Sequence, residues 1–100
     1  MQNQKIRSRA ADALFDAVLK LKDRDECYSF FEDLCTVAEI RSLAQRLEVA
    51  KYLRTSKTYS EIAALTGAST ATISRVNRAL EYGADGYKTI LDRLDGERTE

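Results

Sequence analysis

Two helical periods hinged on a glycine occupy one stretch of this chain, Y-S-E-I-A-A-L-T-G-A-S-T-A-T-I-S-R-V-N-R from Tyr59 to Arg78. Ile62, Ala68, Ile73 and Val76 fall where two crossing helices meet, and Ala63 is small where they approach closely. Gly67 stands at the turn, where the backbone needs a positive φ that other side chains resist. These demands are independent of one another, and a helix-turn-helix between Tyr59 and Leu80 meets all of them. Thr58 and Glu61 form a T-x-x-E capping box that opens the first helix. Ser69 is a good N-cap for the second, which reaches Tyr82 and ends at Gly83.

The remainder of the chain is helical as well. With no proline and four glycines in 100 residues, almost nothing interrupts a helix. Ala11, Leu14, Phe15, Val18 and Leu19 or Leu21 follow the three-four spacing of an amphipathic helix. After the charged K-D-R-D-E break, Cys27, Phe30, Phe31, Leu34, Cys35 and Ala38 continue it as a second helix. A Thr36 to Glu39 capping box opens a third near Val37, with the apolar stripe Ile40, Leu43, Leu47, Ala50 and Leu53. Tyr87, Ile90, Leu91 and Leu94 mark a sixth. The expectation is an all-α fold of six helices in one domain over residues 1–100, with a mobile arm at 1–9 and a frayed tail at 96–100. The first two helices carry more apolar surface than a two-helix unit hides within itself, which points to burial against a second copy.

Several classes are excluded. No apolar run approaches the ~18 residues of a membrane span, and the N-terminus lacks a secretory signal, so a cytoplasmic location is expected. Cys27 and Cys35 lie eight helical residues apart, about 12 Å and beyond disulfide reach. No histidine is present to complete a common zinc set, so both are read as small apolar core residues, with no metal and no cofactor. No nucleophile motif, phosphate-binding glycine loop or clustered carboxylate pair speaks for an enzyme.

The formal net charge is zero, but its distribution is uneven. Residues 41–80 hold seven basic side chains against Glu48 and Glu61, a local +5, between flanks of −2 and −3. A phosphate backbone responds to local charge within a Debye length of about 8 Å. A helix in the major groove offers base edges the side chains of its first turns, here Ser69, Thr70, Ala71, Thr72, Arg75 and Arg78. Threonine methyls and Ala71 suit thymine methyls, hydroxyls suit bases or phosphates, and either arginine reaches guanine or pairs with phosphate. Tyr59 and Ser60 open the preceding helix, whose positive end suits a phosphate, and Arg54 and Lys57 add charge just before it. Double-stranded DNA is therefore the expected partner. The alternative is a protein-interaction module that keeps the fold without an operator.

The stretch G-A-S-T-A-T-I-S-R at Gly67 to Arg75 resembles the tryptophan-repressor family. D-L-C-T-V-A-E-I at Asp33 to Ile40 and L-A-Q-R-L-E-V-A at Leu43 to Ala50 resemble the TrpR-related YerC/YecD proteins, and the similarity covers most of residues 10–95. The resemblance implies a six-helix TrpR-like fold and an intertwined homodimer, with two heads about 34 Å apart on a pseudo-palindromic operator. It also implies a transcriptional regulator, a repressor in kind. In the repressor an indole is held near arginines matching Arg75 and, after a small gap, Arg46. Directly after Arg75, however, Val76 stands where the repressor has glycine, and its isopropyl group obstructs such a ligand. Tryptophan is not expected as effector; another small molecule, or none, remains open.

Overall fold

The computed structural model describes residues 4–98. Among them are six α-helices, one short 3-10 turn and no strand. Contacts divide the chain into two units, with the boundary between Arg41 and Ser42.

The N-terminal unit begins with the 3-10 turn Gln4–Ile6, followed by α1 (Arg9–Val18) and α2 (Arg24–Leu34). Ser8 caps α1 by accepting the Ala11 N–H at 3.0 Å. Asp23 caps α2 through the Glu26 N–H at 2.9 Å, while the Glu26 carboxylate accepts from the Lys22 N–H at 2.8 Å. The charged K-D-R-D-E segment is thus a helix start rather than a plain break, because its acids satisfy first-turn donors. The second half of it is already helix. Of the expected arm, residues 4–6 form the turn and Arg9 is helical, while residues 1–3 lie outside the described residues. Neither α1 nor α2 buries a single residue. Phe30 and Phe31 meet edge to face with centroids 5.6 Å apart, yet Phe15, Leu19 and Leu34 stay exposed. Cys27 is exposed and Cys35 half-buried, both as free thiols. Cys27, expected in the core, is exposed within the single chain, because two short helices have too little mass to enclose it.

The boundary falls within α3 (Val37–Leu53), and the second unit is built on its part from Ser42 onward with α4 (Tyr59–Thr66), α5 (Thr70–Tyr82) and α6 (Gly86–Arg98). The α3 capping box is present, with Glu39 N–H to Thr36 Oγ1 at 3.1 Å and Thr36 N–H to Glu39 Oε1 at 2.8 Å. Val49 and Ala50 of α3, Ile62 of α4, Ala68 of the turn, Ile73 and Val76 of α5 and Leu91 of α6 form one sealed cluster, none more than 5% exposed. Leu47, Tyr52, Leu53, Ala63, Leu80, Tyr87 and Leu94 pack around it. No polar or charged side chain is buried among the described residues, so the cluster is held by apolar burial alone. Leu43, expected on the α3 stripe, is exposed, since the buried part of α3 begins only at Val49.

Gly83 ends α5 with φ −87°, so it is not a left-handed cap. Its requirement is space: a Cβ there would lie 2.4 Å from the Ala79 carbonyl oxygen. The reversal into α6 is made instead by Asp85 at φ 64°. Helix α6 continues past Gly96 to Arg98, beyond the point where the sequence places a frayed tail. Beside Leu91 and Leu94, an open cavity of about 720 Å³ has Tyr52 and the charged Glu48, Lys51, Arg54 and Asp95 around it.

Candidate nucleic-acid interface

Helix α4, the turn and α5 form the helix-turn-helix anticipated from the sequence. Thr58 Oγ1 accepts the Glu61 N–H at 3.2 Å, and Glu61 Oε1 accepts the Thr58 N–H at 3.1 Å. Hydrogen bonding of Thr58 to the Glu61 carboxyl, from its backbone N–H first and its side chain second, holds that carboxyl below its ordinary range, with a smaller contribution from the Lys57 charge. Gly67 closes α4 at φ 74°, the left-handed conformation its position demands. All four residues expected at the crossing, Ile62, Ala68, Ile73 and Val76, are buried.

The opposite side of α5 is open. Ser69, Thr70, Ala71, Arg75 and Arg78 are exposed and Thr72 is half-buried. Ala71, Arg75 and Arg78 follow four-three spacing and share one stripe. Ser74 is exposed on the same helix and escapes the sequence-based selection. Ser69 Oγ accepts the Thr72 N–H at 3.1 Å and contacts Thr72 Oγ1 at 3.0 Å, so the two hydroxyls at the helix front are arranged together. Helices α1 to α4 each carry an acid in the first turn, whereas α5 and α6 carry none.

The cations before α4 are less open than their sequence implies. The Arg54 guanidinium donates to Asp92 Oδ1 of α6 at 2.5 Å. Lys57 Nζ lies 5.9 Å from the Tyr52 ring centroid, at the outer limit of a cation–π contact. Tyr59 and Ser60 are exposed at the start of α4, but the Glu61 carboxylate already occupies that end. Among the described residues no acid and thiol cluster capable of holding a metal occurs, and no helix is long and apolar enough to cross a membrane.

The family model described as Trp repressor protein matches residues 9–95. The chain belongs to the Trp repressor family. Among relatives, the uncharacterized protein YerC of Bacillus subtilis (strain 168) is 58% identical over 100 residues, covering 100% of this chain and 96% of YerC. A TrpR-like protein from Eubacterium eligens ATCC 27750 superposes with a TM-score of 0.89 at 60% identity, over 93% of this chain and 96% of that one. A structure described as a putative Trp repressor from Staphylococcus aureus gives 0.90 at 58% identity, over 95% of each chain. The chain thus belongs to the TrpR-like YerC group. Membership of the Trp repressor family suggests a DNA-binding regulator rather than an enzyme.

In this Trp repressor family member the two arginines of the resemblance are held differently. Arg46 is half-buried and folded back along α3, its Nε 3.4 Å from the Ser42 carbonyl and its Nη2 3.3 Å from Ser42 Oγ. Arg75 is exposed on α5. Val76 is only 2% exposed, its isopropyl group part of the sealed cluster.

Two residues that govern the turn escape the sequence pattern, Gln45 and Thr66. Gln45 Nε2 donates to the Thr66 carbonyl at 3.2 Å, across 21 residues of chain. Thr66 Oγ1 donates to the Ile62 carbonyl at 2.7 Å and accepts the Ala68 N–H at 3.1 Å. A threonine just before the turn glycine is a weak signal for the second pair; nothing local marks the first.

Proposed function

We propose that the protein is a sequence-specific DNA-binding transcriptional regulator, a repressor that occupies a pseudo-palindromic operator as a homodimer. The observation that carries the reading is α5, sealed by Ile73 and Val76 on one side and open at Ser69, Thr70, Ala71, Arg75 and Arg78 on the other, with Thr72 half-buried between them. That division is what a helix entering the major groove requires. Arg54, Lys57, Tyr59 and Ser60 supply phosphate contacts beside it. Repression proceeds by occlusion.

The dimer is supported by the exposed apolar side chains of α1 and α2, which find no cover in their own unit. Within a dimer both units act as one domain. The buried Val76, standing where the repressor has glycine, favours a head that responds to no tryptophan. The protein works in the cytoplasm.

Selection of fragments from the source genome, read by sequencing with and without added amino acids, tests the reading. Recovered fragments share a two-fold symmetric motif, and log affinity falls against log salt by about 0.9 per neutralised phosphate. Absent binding, or binding that ignores salt, makes the fold a protein-interaction module instead.

A further inference from the structure

We infer that Gln45 is a positioning residue for the reading head, fixing the direction of α5 through its hydrogen bond to the end of α4; the inference rests on the DNA-binding reading above. Gln45 lies on α3, outside the two helices of the reading head, and is half-buried. Its Nε2 meets the Thr66 carbonyl, one of the last carbonyls of α4 and therefore without an intrahelical partner. A Cβ at Gly67 would lie 4.0 Å from the same Nε2, so the amide rests directly against the turn.

The other bonds at this turn are local. Gly67 N–H reaches the Ala63 carbonyl at 2.8 Å, and Thr66 Oγ1 joins Ile62 to Ala68. They shape the turn but do not orient it against the rest of the unit. Apolar packing of Ile73 and Val76 holds α5 down, yet burial is non-directional and tolerates small rotations. A hydrogen bond weakens steeply away from linearity and resists them. Gln45 supplies that directional tie from α3.

Leverage makes the tie matter. Arg78 lies about 12 Å along α5 from Thr70 at 1.5 Å per residue, so a 10° swing about the turn moves it roughly 2 Å. A displacement of that size breaks bidentate base contacts while leaving a long arginine able to find a phosphate. Loss of Gln45 therefore reduces discrimination between sequences more than it reduces attraction to DNA in general.

The test uses Gln45→Met, which keeps length and removes the donor, and Gln45→Glu, which sets a carboxylate against the Thr66 carbonyl. Affinity is measured for a duplex selected by the wild-type protein and for a scrambled duplex of equal length, together with amide exchange at Gly67 and Ala68. Both variants should lose about five- to tenfold on the selected duplex, the scale of one net hydrogen bond, and under twofold on the scrambled one. Amide exchange at the turn should accelerate while helix content is unchanged. Thr66→Ser, which keeps both hydroxyl bonds, should behave as wild type. An unchanged ratio between the two duplexes, an equal loss on both, or a variant that no longer folds overturns the assignment, the last by making Gln45 a core residue. If the wild-type protein binds neither duplex, the regulatory reading fails; unchanged turn exchange in Gln45→Met refutes the clamp separately.

Discussion

Arg54 and Asp92, 38 residues apart in the chain, join the end of α3 to α6 through a 2.5 Å ion pair whose side chains remain 34% and 51% exposed. Asp92 holds the guanidinium as a phosphate oxygen would. On the DNA-binding reading the two compete. Asp92→Asn should raise DNA affinity severalfold at low salt and steepen the salt slope by up to about one unit. Thermal stability should move by no more than about 1 kcal/mol, as expected of an exposed pair. A titration series at three salt concentrations decides it; an affinity that drops on freeing Arg54 assigns the pair a purely structural role.

Arg75 and Thr72 present polar atoms at the front of α5. Arg75→Ala and Thr72→Ala should each cost about 1–3 kcal/mol of specific binding if they touch base edges, with the oligomeric state unchanged by sedimentation. A variant that dissociates the protein into smaller species would show that this face belongs to an interface between copies.

Acid should weaken the head through its cap. Hydrogen bonds from Thr58 lower the Glu61 carboxyl, and those from Thr36 do the same for Glu39. Each group has a folded-state pKa below its unfolded one. Its stabilising contribution is therefore present above the unfolded value and lost as pH falls through the folded one. Urea midpoints across pH 6 to 3 should fall for the wild type, and Glu61→Gln should flatten part of that decline. Equal slopes in the two proteins would remove Glu61 from the account.

Two glycines should respond in opposite directions to alanine. Gly83→Ala drives a Cβ against the Ala79 carbonyl oxygen, which already accepts the Gly83 N–H at 2.9 Å, and should cost roughly 1–3 kcal/mol. Gly96→Ala meets nothing within 4 Å and lies within α6, so it should be neutral or stabilising by up to about 1 kcal/mol. Melting temperatures of the two variants against wild type are sufficient to check both.

The helix-turn-helix is legible in the sequence because its determinants are local. The Thr58 box, the Gly67 turn and the spacing of Ile62, Ile73 and Val76 all lie within about five turns of chain. The start of α2 is harder, since Asp23 and Glu26 sit in a charged run where cap and break look alike. Gln45 with Thr66, and Arg54 with Asp92, are invisible to periodicity because chain folding alone brings them together. Exposure of Cys27 and Leu43 follows from what surrounds each helix, which a stripe of apolar letters does not convey. Gly83 reads as a helix terminator, and its steric reason emerges only with the Ala79 carbonyl in place.

The separation of α5 into a sealed side and an open side bears on how such a protein diverges. Thr70, Ala71, Arg75 and Arg78 are exposed, and surface changes of that sort usually fall within about 0.5 kcal/mol, whereas Ser69 is tied to its place by capping the Thr72 N–H. On the DNA-binding reading, a lineage can therefore change the sequence it reads one residue at a time, through viable intermediates, while Ile62, Ile73 and Val76 go on holding the same frame.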